Sequence, residues 1–295
     1  MAREARMTLE QTDKPHPSDG GRRSDMSAVD HAALMEAVRR LERNSLALRL
    51  ANLVGRQVSF ATQLVPARAA QVVGKAAGAA MRVALRAAFA SLNGAPVRDR
   101  VGFHRAMVAA SGAAGGALGL ASLPVELPVS TALMLRAIAD IARAEGEDLS
   151  QPETALACLQ VFALDGRGAE AELSESSYFA LRGLMARSVT EAARFVASRG
   201  LIDETAPALV RFTTQVASRF GVVVSQKFLA QATPVLGALG GAAVNLAFIE
   251  HFQSLAKGHF TVRRLERKYG EALVKAEYAR IAAARDPDEI VTPAA

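Results

Sequence analysis

The amino-acid sequence predicts an all-α protein: a single multi-helix domain with two Gly/Ala-rich buried helical hairpins and disordered termini. Three observations support this fold class. The apolar fraction of 51% is ample for a core, apolar residues recur at helical spacing without convincing period-two alternation, and no linker is long enough to divide domains. The predicted boundaries are a tail over residues 1–27, the helical domain over 28–285 and a second tail over 286–295.

Predicted helices follow one another along the chain and are separated by proline or glycine. Prolines 124 and 128 are expected to interrupt the chain before a helix that resumes near Leu127, Ser150 and Glu153 resemble a capping box, and Gly258 is a candidate break. The predicted helices cover residues 27–64, 67–92, 99–121, 127–144, 150–164, 174–198, 205–231 and a last stretch from Pro234 to Ala284.

Charge is distributed unevenly along the chain, whose formal net charge is +6. Residues 31–105 carry 12 basic and 3 acidic groups, whereas residues 106–177 carry 3 basic and 10 acidic groups. This pattern is typical of a polar molecule with a cationic face, or of two blocks that pair with each other. Residues 1–30 contain no apolar stretch of the kind that a signal peptide needs, so a cytoplasmic location is expected.

The residue types exclude several classes of protein. A single cysteine, Cys158, excludes a disulfide framework and a cysteine-based zinc site, and its apolar surroundings predict that it is buried. The chain contains no phosphate-binding loop and neither an HExxH nor a GxSxG motif. Aromatic residues make up 5% and do not alternate with the cations, which argues against nucleic acid as a partner. No cofactor or metal is predicted.

Two uncharged segments, residues 106–125 and 228–249, contain glycines at four-residue spacing. Both are long enough to span a membrane. Ala and Gly supply little transfer energy, however, and the carboxylate of Glu126 follows the first segment, so stable insertion is disfavoured. Close helix packing in a core, or a core that opens for shallow insertion, are the alternatives. The predicted packing positions are Gly112, Gly115, Gly116, Gly119, Gly237 and Gly241.

The sequence GGALGLASLPVELP, at residues 115–128, is similar to the EcsC family. The similarity continues in order through residues 133–149, 157–164 and 245–270, so that it covers about residues 35–280. The family takes its name from a gene that neighbours an ABC transporter. The resemblance therefore implies a membrane-associated helical protein, an accessory to a membrane transporter, and it assigns no biochemical activity.

Two groups of basic residues are candidates for binding anionic lipid or a partner. In the second predicted helix, three cations spaced seven residues apart form one stripe. Near the end of the chain, four cations lie beside Phe260 and Tyr269, a composition typical of an interfacial helix. A solvated face with local pairs, such as Arg263 with Glu266, is the alternative. The candidate residues are Arg68, Lys75, Arg82, Arg263, Arg264, Arg267 and Lys268.

Five polar residues are candidates for buried groups: Glu126, Arg136, Asp140, His251 and His259. Glu126 is predicted to accept backbone N–H groups at a helix start, with a ligand, proton or metal site as the alternative. Arg136 and Asp140 share a helix face and fit an ion-pair row or a polar seam. The two histidines are eight residues apart, which is not the usual metal spacing, so structural hydrogen bonding is favoured.

The sequence therefore predicts a non-enzymatic, membrane-peripheral helical protein. Its expected partner is the anionic inner face of the membrane or a component of a membrane transporter. One alternative is a metal-dependent hydrolase that uses Glu126 with His104, His251 and His259. A second alternative is a soluble protein-interaction module.

Overall fold

The computed structural model describes residues 26–42, 46, 49–50, 67–90, 123–165, 177–199, 205–231 and 237–284. Every regular element in these residues is helical and none is a strand, which confirms the predicted all-α fold. The helices are α1 (Ala28–Glu42), α2 (Ala67–Ala90), α3 (Leu123–Ala144), α4 (Pro152–Gln160) with a 3₁₀ turn (Val161–Ala163), α5 (Ser177–Arg199), α6 (Pro207–Gln231), α7 (Gly237–Tyr269) and α8 (Glu271–Ala283).

Two groups of helices meet along α7. Helices α1 and α8 pack on its C-terminal part, α2 packs against α3 and α6, and both α3 and α6 contact α7. Aromatic rings from the 3₁₀ turn, α6 and α7 fill the centre, where Phe162, Phe220 and Phe252 lie with ring centroids 5.1–5.7 Å apart. These three rings thus lie where large side chains fill the space between helices.

Helix α7 is continuous through Gly258, so the candidate break at this residue is wrong. Gly258 lies where α7 crosses α1, and a Cβ atom there would stand 2.8 Å from Leu41 Cγ and 3.2 Å from the Ala37 carbonyl oxygen. The glycine therefore permits a close helix crossing rather than a break. The helix ends instead at Gly270, whose φ of +88° is a conformation that favours glycine.

The start of α3 and the cap of α4 also differ from expectation. Helix α3 begins at Leu123 and includes Pro128, so the prolines do not delay it to Leu127. Pro124 is the second residue of α3, where a missing N–H group has no intrahelical partner, whereas Pro128 lies past the first turn and α3 continues through it. Ser150 does not cap α4, because its hydroxyl group donates to Asp148 Oδ1 at 2.7 Å. Gln151 occupies the cap position without a side-chain hydrogen bond.

Four of the six glycines predicted to pack helices together lie outside the described residues. They are Gly112, Gly115, Gly116 and Gly119, and the helix predicted over residues 99–121 lies outside as well. Gly237 and Gly241 lie at the beginning of α7. Among the helices that the structure describes, none combines the length and the apolar character needed to cross a bilayer.

Candidate functional site

The basic stripe predicted in the second helix lies on the outer face of α2. Lys75, Arg82 and Arg86 are exposed, whereas Val73, Met81 and similar residues of the opposite face are buried. Residues seven apart lie two turns apart on one side of a helix, which explains why the cations are aligned. Arg68 is in the first turn of the same helix.

Two valines lie among these cations on the outer surface of α2. Val72 is 42% exposed and Val83 is 37% exposed. The cations with the two valines are called here the α2 cationic face, and they comprise Val72, Lys75, Arg82, Val83 and Arg86. A helix surface that combines basic groups with exposed apolar groups is suited to a water–lipid interface.

Neither α2 itself nor α6 contains an acidic residue, and the two acids of α3, which also packs against α2, are buried. The sequences of α2 and α6 contain seven basic residues and no Asp or Glu. In α6, Arg211 pairs with Glu191 of α5 at 2.6 Å, and Lys227 pairs with Glu126 of α3 at 3.0 Å. Lys75 and Arg82 form no ion pair with any residue that the structure describes. Lys75 and Arg82 therefore contribute positive potential to the outer surface of α2.

Unlike Lys75 and Arg82, the basic residues at the end of α7 are neutralised by acidic groups of other elements. Glu147, in the loop after α3, accepts two hydrogen bonds from Arg263, at 2.8 and 2.9 Å, and one from Arg267. Arg267 also donates to the Glu145 backbone oxygen at 2.7 Å. Burial of Glu147 opposes its ionisation, but the hydrogen bonds and charges of the two arginines prevail and lower its pKa.

Asp30 of α1 neutralises the rest of this row. Its carboxylate accepts hydrogen bonds from Lys268 Nζ and Tyr269 Oη, both at 2.7 Å, and from Arg264 Nη1 at 3.2 Å. These donors, Lys268 first, hold the pKa of Asp30 well below its usual range. Arg264 also pairs with Glu145 at 2.7 Å.

The four α7 cations thus fasten α1 and the loop after α3 to α7. They do not form a free cationic surface, and their role in lipid binding stays a prediction. The expected local pair between Arg263 and Glu266 is not formed. Glu266 instead pairs with Arg182 of α5 at 2.7 Å.

His259 belongs to a buried polar network rather than to a metal site. The Tyr178 hydroxyl oxygen lies 2.9 Å from His259 Nδ1 and accepts a hydrogen bond from Arg182 Nη1 at 3.3 Å. His259 Nε2 is buried and has no hydrogen-bond partner among the described residues. Burial, and then the charges of Arg263 and Arg182, hold the pKa of His259 well below its usual range.

Glu126 is buried, as predicted, and it faces a partner that the sequence did not indicate. Its Oε1 accepts a hydrogen bond from Lys227 Nζ at 3.0 Å. Lys227 is fully buried, and its ammonium group lies 5.0 Å from the centroid of the Phe248 ring. Desolvation lowers the pKa of Lys227, and the charge of Glu126 offsets part of that effect.

The groups of the alternative hydrolase are held apart in separate pairs. His251 is buried and its Nε2 lies 3.0 Å from Asp165 Oδ2, while His259 contacts Tyr178 and Glu126 contacts Lys227. His104 lies outside the described residues. In the part of the chain that the structure describes, no cluster of three or more metal-ligating side chains occurs.

The remaining polar candidates and the cysteine take separate positions. On α3, Arg136 is exposed whereas Asp140 is buried, so these two side chains do not form one solvated row. Burial raises the pKa of the Cys158 thiol to about 12, so this thiol keeps its proton near neutral pH.

The comparisons with known proteins agree with the resemblance in the sequence. A family model described as the EcsC protein family matches residues 91–265. The chain belongs to the EcsC protein family. No curated protein matches the chain, and no solved structure does either.

The buried polar pairs of this EcsC protein lie inside the matched residues, and the α2 cationic face lies outside them. The match begins just after α2 and ends at Leu265 in α7. It includes Glu126, Lys227, Tyr178 and His259, whereas the α2 cationic face precedes it. The buried pairs therefore lie within the part that identifies the family, and the candidate binding surface lies on an adjoining helix.

Sequence reasoning missed Lys227, Tyr178 and Arg182, and it missed the acidic partners of the α7 cations. One signal for Lys227 was available, because it follows the uncharged run Gly221–Ser225 in a helix without acids. A buried cation in such a helix needs a partner from elsewhere in the fold. Its pairing with Glu126, 101 residues earlier, depends on the packing of α3 against α6.

Proposed function

We propose that this EcsC protein binds an anionic membrane surface peripherally through the α2 cationic face, with no catalytic step. The single observation that carries the proposal is the exposed row formed by Lys75 and Arg82. These cations have no ion-pair partner among the described residues, and their helix contains no acid. Anionic lipid headgroups would supply the negative charge that the fold does not.

The strength of such binding follows from the number of cations. Each Lys or Arg near an anionic surface contributes about 1 kcal/mol, and the contribution falls off within a Debye length. Val72 and Val83 add apolar area that can enter the headgroup region. The interaction is therefore weak, reversible and sensitive to salt.

The comparison with α7 supports the choice of α2 as the binding element. Arg263, Arg264, Arg267 and Lys268 already have carboxylate partners, so a lipid phosphate would have to displace Asp30, Glu145 or Glu147. Lys75 and Arg82 require no such exchange. A membrane-bound transporter component with an acidic surface is the other partner that this face fits.

Flotation with phosphatidylglycerol vesicles at low salt tests the proposal. The native protein is expected to float with these vesicles, less at high salt, and not with phosphatidylcholine vesicles. The double variant K75Q/R82Q removes about 2 kcal/mol and is expected to weaken vesicle binding about 30-fold.

The matched control is R194Q/R199Q, which removes two exposed cations of α5 and changes the net charge equally. It is expected to bind within about twofold of the native protein, since its charges lie outside the α2 cationic face. Native protein that fails to float, or a control that loses as much binding as K75Q/R82Q, contradicts the proposal.

A further inference from the structure

A groove of about 450 Å³ runs between α2 and α6, directly beside the α2 cationic face. A Cβ atom at Gly221 would lie 3.9 Å from Ala77 Cβ, so the two helices approach closely below the groove. At Gly74 a Cβ atom would meet nothing within 4 Å, so the groove is open on its outer side. This volume is in the range of small-molecule sites.

The lining of the groove is uncharged, and two of its hydroxyl groups are turned back onto their own helix. Ser218 Oγ donates to the Gln215 backbone oxygen and Ser225 Oγ to the Gly221 backbone oxygen, both at 2.9 Å. A hydroxyl group that already donates to its helix offers little to a polar ligand. The groove is therefore suited to an apolar chain.

A cation lies at the edge of this apolar groove. Arg82 Nη1 is 3.7 Å from the position that a Cβ atom of Gly78 would take, and Gly78 lines the groove. Lys75 follows Gly74 and is exposed on the same side of α2 as Arg82. An unpaired cation beside an apolar groove is complementary to an amphiphile that carries an anionic head and an apolar chain.

The length of the groove agrees with a single chain from one leaflet. Residues from Thr214 to Ser225 of α6 line it, and this interval corresponds to roughly 16 Å along a helix axis. Half of a bilayer hydrocarbon core is about 15 Å.

We propose that the α2–α6 groove takes up one acyl chain of an anionic phospholipid while Arg82 and Lys75 contact its phosphate. This inference rests on the proposed membrane binding and adds a chain-binding site to it. The apolar groove, the cation at its edge and the absence of acids in α2 and α6 together select the ligand class.

Photo-crosslinking tests the inference in vesicles of phosphatidylglycerol that contain phosphatidylglycerol with a diazirine in one acyl chain. The critical variant is G74L, which places a large side chain in the groove lining at a position where a Cβ atom meets nothing within 4 Å. The matched control is G183L in α5, since a Cβ atom at Gly183 also meets nothing within 4 Å. Both substitutions favour helix to a similar extent, so both proteins are expected to fold.

In the native protein and in G183L, crosslinks are expected on peptides of α2 and α6. In G74L they are expected to fall about tenfold, because leucine occupies the volume of the chain, while flotation is unchanged because Lys75 and Arg82 remain. Equal labelling in G74L and G183L, or labelling confined to other helices, overturns the inference and leaves the surface binding intact. Loss of flotation in the native protein overturns the proposed function instead. Groove labelling by a free diazirine fatty acid but not by the phospholipid overturns the assignment to phospholipid.

Discussion

Gly258 is a single residue on which the crossing of α1 and α7 depends. A methyl group added here would stand 2.8 Å from Leu41 Cγ, closer than real Cβ atoms approach, and 3.3 Å from Arg40 Cβ, a tight contact. Overpacking of this kind costs about 1–3 kcal/mol, and replacing a helical glycine returns about 1 kcal/mol. Gly258→Ala is therefore expected to lower the free energy of unfolding by about 1 kcal/mol, measured by urea unfolding.

Gly183→Ala is the matched substitution, because a Cβ atom at that position meets nothing within 4 Å. It is expected to raise the free energy of unfolding by up to about 1 kcal/mol. If both variants were equally stable, the close crossing at Gly258 would have no energetic consequence.

At the scale of helices, the buried pair of Glu126 and Lys227 connects α3 to α6. Removing one partner leaves the other charge buried without compensation, which costs about 3–5 kcal/mol, whereas removing both charges costs much less. Lys227→Met is therefore expected to destabilise the protein by that amount. The double variant E126Q/K227M is expected to recover at least half of the loss, measured as midpoints in urea at pH 7.

A double variant that is less stable than Lys227→Met would contradict this reading of the pair. Glu126→Gln alone completes the cycle, and its cost shows how much the lysine depends on the carboxylate. The exposed cation Lys257 of α7 provides the control, because Lys257→Met removes the same charge from a solvated position.

Helix positions could be predicted from the sequence, because periodicity is a local property. The prediction over residues 205–231 differs from α6 by two residues at its start, and the second predicted helix begins at Ala67 as α2 does. The same periodicity placed Lys75 and Arg82 on one face of α2. It could not predict that Glu147 reaches Arg263, 116 residues later, because that contact depends on how helices pack.

At the scale of the whole molecule, the fold places two groups of basic residues in different surroundings. Three acidic residues of α1 and of the loop after α3 form ion pairs with the α7 cations: Asp30, Glu145 and Glu147. Helices α2 and α6 receive no acidic residue of their own. Internal pairing is therefore observed, but not between the two blocks expected from the sequence, because the α7 cations lie outside residues 31–105.

The dependence of stability on pH follows from the same arrangement. His259 stays neutral in the folded protein because its pKa is well below the usual value, whereas in the unfolded chain a histidine takes up a proton below about pH 6.5. The unfolded state then binds more protons, so the free energy of unfolding falls as pH decreases, by about 1.4 kcal/mol between pH 7.5 and 5.5. The lowered pKa values of Asp30, Glu147 and Glu277 act only below about pH 4.5.

His259→Gln is expected to remove this upper step and to leave the acid step in place. The unfolding free energy is measured against pH for the native protein and for the variant, and one curve is subtracted from the other. The difference isolates His259, because the other histidines contribute equally to both curves. Tyr178→Phe is the companion variant, since it keeps the histidine but removes the hydroxyl group that contacts Nδ1. It is expected to lower stability at every pH and to retain the step. A His259→Gln curve with the same slope as the native one between pH 7.5 and 5.5 would contradict the neutral state of this histidine in the folded core.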